Sequence, residues 1–106
     1  MLSQNDQRIA QQLKQNLLEI TPLVNLVVYG SRARGDSSTD SDLDIFIEVS
    51  AITPTLRQRI SETAWEVGFE NDIVISTFVV TPDDISKGPV GANPLVSAVA
   101  SEGIPV

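Results

Sequence analysis

The segment Leu23-Val24-Asn25-Leu26-Val27-Val28-Tyr29 is nearly all apolar and rich in β-branched residues, and Gly30 ends it. Such a run reads as a strand covered on both faces, which requires other elements to lie above and below it. A second strand is expected from Leu43 to Val49, where Leu43, Ile45, Ile47 and Val49 point one way and Asp42, Asp44, Phe46 and Glu48 the other. A third is expected from Asp72 to Val80, with Ile73, Ile75, Thr77 and Val79 on one face and Asp72, Val74, Ser76 and Phe78 on the opposite one.

Helices fill the intervals. Ile9, Leu13, Leu17 and Ile20 recur at helical spacing between Ser3 and Ile20, and Thr21-Pro22 stops the pattern. Thr53-Pro54 supplies a cap and a first-turn proline for a helix carrying Leu56, Ile60, Ala64 and Val67, with Gly68 expected as its stop. Ser31 to Gly35 suits a short helical turn, and Leu95, Val96, Val99 and Ala100 a short last helix closed by Gly103. Asp36 to Ser41 and the stretch from Thr81-Pro82 through Gly91 read as loops. The order predicts an α/β (α+β) fold, a small mixed β-sheet flanked by helices, with residues 1–106 as a single domain.

Hydrophobic residues at 42% and charged ones at 20% place the chain among globular sequences and outside the disordered class. Its net charge of −7 repels polyanions, so no direct nucleic-acid binding is expected. A single nucleotide differs, because a divalent cation neutralises phosphates locally whatever the global charge. Cysteine and histidine are both absent, which excludes disulfides, thiolate or imidazole zinc sites, cysteine nucleophiles and Ser-His-Asp triads. Carboxylates remain as the metal ligands. Neither a secretion signal at Met1–Asp6 nor an apolar run long enough for a membrane span is found, so a cytoplasmic location is expected.

Asp42 and Asp44 lie two apart on a strand, which sets both carboxylates on one face at about 6–7 Å. Two such anions repel unless a cation or a proton intervenes, and Mg²⁺ is commonly held by one or two carboxylates together with substrate phosphates. Taken alone, the pair reads more readily as the solvated face of an edge strand or loop end. Gly30-Ser31 adds to it: Gly30 permits close backbone approach, and Ser31 presents a hydroxyl and an amide at the start of a helical turn. Arg32 and Arg34 flank the turn and suit phosphate contacts, with an ion pair to Asp36 or Asp40 as the competing reading. An EF-hand over Asp36–Asp42 fails, since Ser41 stands where glycine is needed and Ile47 where the bidentate Glu is needed. A Walker loop fails for want of Gly-Lys-Ser/Thr.

Gly30-Ser31-Arg32-Ala33-Arg34-Gly35-Asp36 followed by Ser41-Asp42-Leu43-Asp44-Ile45 resembles the G-S-x-A-x-G-x … S-D-x-D-h motif of the DNA polymerase β-like nucleotidyltransferase superfamily. The chain is similar in particular to the minimal nucleotidyltransferases that prokaryotes pair with a small all-helical HEPN protein. Asn93-Pro94-Leu95 and Ser101-Glu102-Gly103-Ile104 resemble the end of those proteins, so the likeness spans nearly the whole chain.

The resemblance implies that Gly30 and Ser31 hold the triphosphate of ATP while Asp42 and Asp44 ligate Mg²⁺. It implies a third carboxylate on the next strand, for which Asp72 is the best match and Glu70 the fallback; the competing reading of Asp72 is punctuation at the strand's entry. The implied activity is transfer of AMP to a hydroxyl, in the paired systems a tyrosine of the HEPN toxin, with the short protein as antitoxin. Asp72 as an aid to deprotonation is likewise implied by the resemblance alone. Two alternatives stand beside this: a binding module that neutralises its partner by contact, and a nucleotidyltransferase acting on a small molecule, which would need further residues to enclose its acceptor.

Overall fold

The computed structural model describes residues 2–35, 41–87 and 92–106. Helix α1 (Gln4–Leu18) starts at Ser3, whose Oγ accepts the Asp6 amide at 3.0 Å, and it buries Ile9, Ala10, Leu13 and Leu17. Strand β1 (Asn25–Tyr29) runs into the one-turn helix α2 (Gly30–Arg34), which Gly35 closes in the left-handed region at φ 83°. Strand β2 (Leu43–Glu48) leads to α3 (Pro54–Glu70), capped by Thr53 Oγ1 accepting the Leu56 amide at 3.1 Å. Strand β3 (Ile75–Val80), α4 (Pro82–Lys87), α5 (Pro94–Glu102) and the two-residue β4 (Ile104–Pro105) complete the order.

The strands form one mixed sheet in the order β3-β2-β1-β4. β1 pairs antiparallel with β2 and with β4, while β2 and β3 are parallel, joined by the α3 crossover. One face of the sheet carries Val28, Leu43, Ile45 and Ile47 into a core with α1 and α3. Leu43, Ile45, Ile47 and Val49 are all fully buried, as the alternation predicts. The opposite face holds a smaller cluster of Val27, Tyr29, Phe46 and Val80, roofed by Ile85 of α4 and Leu95 and Val99 of α5. Tyr29, Phe46 and Val80 therefore sit under helices, and the Asp42–Asp44 end of that face opens outward.

Four boundaries depart from expectation. Gly68 does not stop α3; a Cβ there would lie 2.7 Å from the Ile73 carbonyl oxygen, so its bareness lets the helix touch the returning chain and run on to Glu70. β3 begins at Ile75 and not at Asp72, because Asp72 adopts φ 58° and turns the chain before it can join the ladder. α4 replaces part of the expected loop: Thr81 Oγ1 accepts the Asp84 amide at 3.2 Å and Asp84 Oδ2 accepts the Thr81 amide at 3.0 Å. β4 was not foreseen in any form. The expected loop over 36–40 and the Gly88-Pro89 and Gly91 turn lie outside the described residues. Among the described residues, no helix is long and apolar enough to cross a membrane.

Candidate functional site

Strand register brings the glycine turn and the acidic strand together. Tyr29 pairs with Asp44 across β1 and β2, and Asp44 pairs with Ser76 across β2 and β3, so the three side chains share one face of the sheet. Gly30 follows directly at φ 79°, and a Cβ added to it would collide with Asp44 Oδ2. Glycine is thus required twice here, for the left-handed backbone and for the carboxylate pressed against it. Asp42 continues the same face one step outward and is exposed, whereas Asp44 is half-buried.

The electrostatics follow from that arrangement. Burial, and then the charge of Asp42, push the Asp44 carboxyl above the ordinary carboxylate range, while Arg34 pulls the other way. Burial, and then Asp44, raise the Tyr29 phenol above its usual value. Two adjacent carboxylates, one partly desolvated, form a hard oxygen donor set that a divalent cation relieves, and they fit Mg²⁺ together with substrate phosphates. Glu48, the other carboxylate on this face, accepts from Asn25 Nδ2 at 2.9 Å at the far end of the strand and takes no part.

Gly30, Ser31, Arg34, Asp42 and Asp44 are gathered at this end of the sheet. Arg34 also pairs with Glu102 of α5 at 3.0 Å. The Arg32 guanidinium, expected to suit phosphate, pairs with the buried Asp6 at 2.8 Å and donates to the Ser41 carbonyl at 2.9 and 2.7 Å. It clamps α1, α2 and the entry to β2 together. Asp72 does not join the pair: it is exposed on the turn after α3, and among the described residues no three His, Cys, Asp or Glu side chains come together to hold a metal. Glu70, the fallback, accepts from Gln12 Nε2 at 2.9 Å on the α1 side. The residue of β3 beside Asp44 is Ser76, which parity alone places on the right face but does not single out. Asp6, Tyr29 and Ser76 were not foreseen as neighbours of the site.

The family model of the nucleotidyltransferase domain matches residues 7–101. No curated protein matches the chain in sequence. Among solved structures the fold is similar to a MntA–HpeT toxin–antitoxin mutant with two Asp-to-Glu changes: TM-score 0.60 and 19% identity, over 94% of this chain and 70% of that one. A toxin–antitoxin structure with AMP-PNP gives 0.57 and 20%, over 88% and 68%. A candidate nucleotidyltransferase from Sulfolobus solfataricus gives 0.55 and 16%, over 95% and 81%.

Proposed function

Since the chain belongs to the nucleotidyltransferase domain family, we propose that it transfers AMP from ATP to a tyrosine hydroxyl of a small all-helical HEPN-type toxin, as that toxin's antitoxin. The observation that carries the reading is the Gly30 backbone seated against the Asp44 carboxylate, with Asp42 beside it. That contact sets the backbone at the start of α2 directly beside an oxygen donor pair.

Asp42 and Asp44 would hold Mg²⁺, which when bound supplies charge neutralisation for the triphosphate. Gly30 and Ser31 would receive the phosphates, and Arg34, the cation that acts on Asp44, would add a charge-assisted contact. The acceptor oxygen bonds to the α-phosphorus as the bond to pyrophosphate breaks, and the acceptor's proton passes to water. Orientation of the acceptor carries much of the rate, since well-placed reactants gain about 7–11 kcal/mol over free collision. The support for the biological role is the likeness to the toxin–antitoxin structures, one of them with AMP-PNP and another mutated at two aspartates two residues apart, the spacing of Asp42 and Asp44.

A contact-only antitoxin is the second reading, favoured by Ser76 standing where a third carboxylate would lie beside Asp44. Intact-mass measurement decides between them. The chain, Mg–ATP and a small all-helical HEPN-type protein are incubated together. Addition of AMP to that partner, lost in the Asp42→Asn/Asp44→Asn variant, is expected; an unmodified partner inhibited equally by the double variant would refute transfer.

A further inference from the structure

Trp65, Phe69 and Val74 are large apolar side chains left 67%, 74% and 63% exposed. They line one groove of about 600 Å³, whose walls also include Arg32, Ser41 and Asp72. Trp65 and Phe69 stand one turn apart on α3 with their rings stacked, 5.2 Å between centroids at 14°. Single exposed apolar residues are ordinary, but a contiguous patch of this kind marks a binding surface.

Charge identifies the occupant. From Ile60 to Ser86 the chain contains no lysine or arginine, while Glu62 and Glu66 neighbour Trp65 and Phe69 on α3 and Asp72 lines the groove, all three exposed. None of these three carboxylates forms an ion pair among the described residues. The guanidinium that lines the groove, Arg32, is already matched by Asp6. A second copy would press one acidic rim against another in a chain of net charge −7, and a free nucleotide's phosphates meet the same repulsion. Lysine or arginine side chains are attracted both to the rim and to the open face of Trp65. A ridge built from residues four apart interdigitates with a second helix.

We propose that the Trp65–Phe69–Val74 groove is the docking surface for a basic amphipathic helix of the partner protein, its apolar stripe seated on the ridge and its cations on the acidic rim. The purpose rests on the transfer reading. The Val74 carbonyl accepts the Leu43 amide at 2.9 Å, so the groove abuts the residue that separates Asp42 from Asp44. A helix seated there borders the strand that carries the acidic pair, and its chain could present a hydroxyl to it.

Trp65 is the only tryptophan, so its emission reports burial of the groove directly. The chain is titrated with three synthetic peptides of equal length: an amphipathic Leu/Lys helix, its Leu/Glu counterpart and a Lys/Ser control. A saturable blue shift with Leu/Lys alone, weakened by salt, is expected. Phe69→Ala with Val74→Ser should weaken it roughly tenfold or more, as loss of central anchors does. Glu62→Lys with Glu66→Lys, both solvent-facing, should do the same while leaving thermal unfolding unchanged. No shift with Leu/Lys, an equal shift with Leu/Glu or Lys/Ser, a shift on self-concentration, or a shift with Mg–ATP that excludes the peptide would each overturn the proposal. Asp42→Asn/Asp44→Asn should bind Leu/Lys as the wild type does. Absence of AMP transfer by the wild-type chain with peptide binding intact counts against the transfer reading alone, and undiminished transfer in Phe69→Ala/Val74→Ser counts against the groove alone.

Discussion

Gly30→Ala separates the fold's demand on this position from the site's. The backbone stands at φ 79°, where an L-residue costs about 1–2 kcal/mol. For a domain of this size each kcal/mol lowers Tm by roughly 4–8 °C, so a fall of roughly 4–16 °C is expected in thermal unfolding without nucleotide. The added Cβ also overlaps Asp44 Oδ2. Because that atom is the tip of a side chain, the carboxylate swings aside at small cost to stability, and the site loses a ligand. Loss of one charged hydrogen-bonding partner is worth about 1.5–3 kcal/mol. Mg–ATP affinity measured by calorimetry should therefore drop roughly 10- to 150-fold. In an Asp44→Ala background no carboxylate remains to displace, so the Tm cost of Gly30→Ala should persist while its effect on affinity disappears. Wild-type affinity in folded Gly30→Ala, or an affinity loss that adds fully to that of Asp44→Ala, would refute the coupling between Gly30 and Asp44.

Arg32→Ala leaves the buried Asp6 carboxylate unmatched and should cost about 3–5 kcal/mol in urea unfolding, with Asp6→Ala/Arg32→Ala well short of the sum of the single changes; simple additivity would deny the clamp. Gly68→Ala drives a Cβ against the Ile73 carbonyl, which is backbone and cannot yield, so a loss of about 1–3 kcal/mol is expected in the same assay, and a neutral result would mean that α3 and β3 separate freely. The Asp44 carboxyl is raised in the folded state, so the fold retains a proton that the unfolded chain has released. The stability from this group is full below the ordinary carboxylate value and is lost as pH rises through the raised one. In metal-free buffer the urea midpoint should fall across that window, and Asp44→Asn should flatten the fall; an unchanged slope in the variant would assign the effect elsewhere.

The elements legible in the sequence are those whose signals are local. The alternation of Leu43–Val49 and the three- and four-residue spacing of Ile9, Leu13 and Leu17 each report a period that the chain keeps wherever it is placed. The capping pair of Thr81 and Asp84 was local as well, with Pro82 at the first turn, yet the glycines beyond it favoured a loop reading. β4 could not be read this way, because two residues become a strand only by pairing Ile104 with Val28. Arg32 is the same case. Its partner Asp6 lies 26 positions away, and only the fold brings α1 and α2 together.

Asp72 shows how strand parity can be right and position still wrong. Parity put it on the face of Ser76 and Phe78, the face that also holds Asp44 and Phe46. A slide of two or four residues along a strand preserves every facing while moving each side chain, over four residues by about 13 Å. The observed register fixes the slide, since Leu43 meets Ile75 and Asp44 meets Ser76. The left-handed turn at Asp72 then keeps that carboxylate out of the ladder and among the walls of the aromatic groove, three residues past Phe69. An aspartate that the strand pattern assigns to a metal thus stands on the rim of the proposed docking surface, and on the proposed function a cation at Asp42 and Asp44 would draw the rest of its ligands from phosphate oxygens.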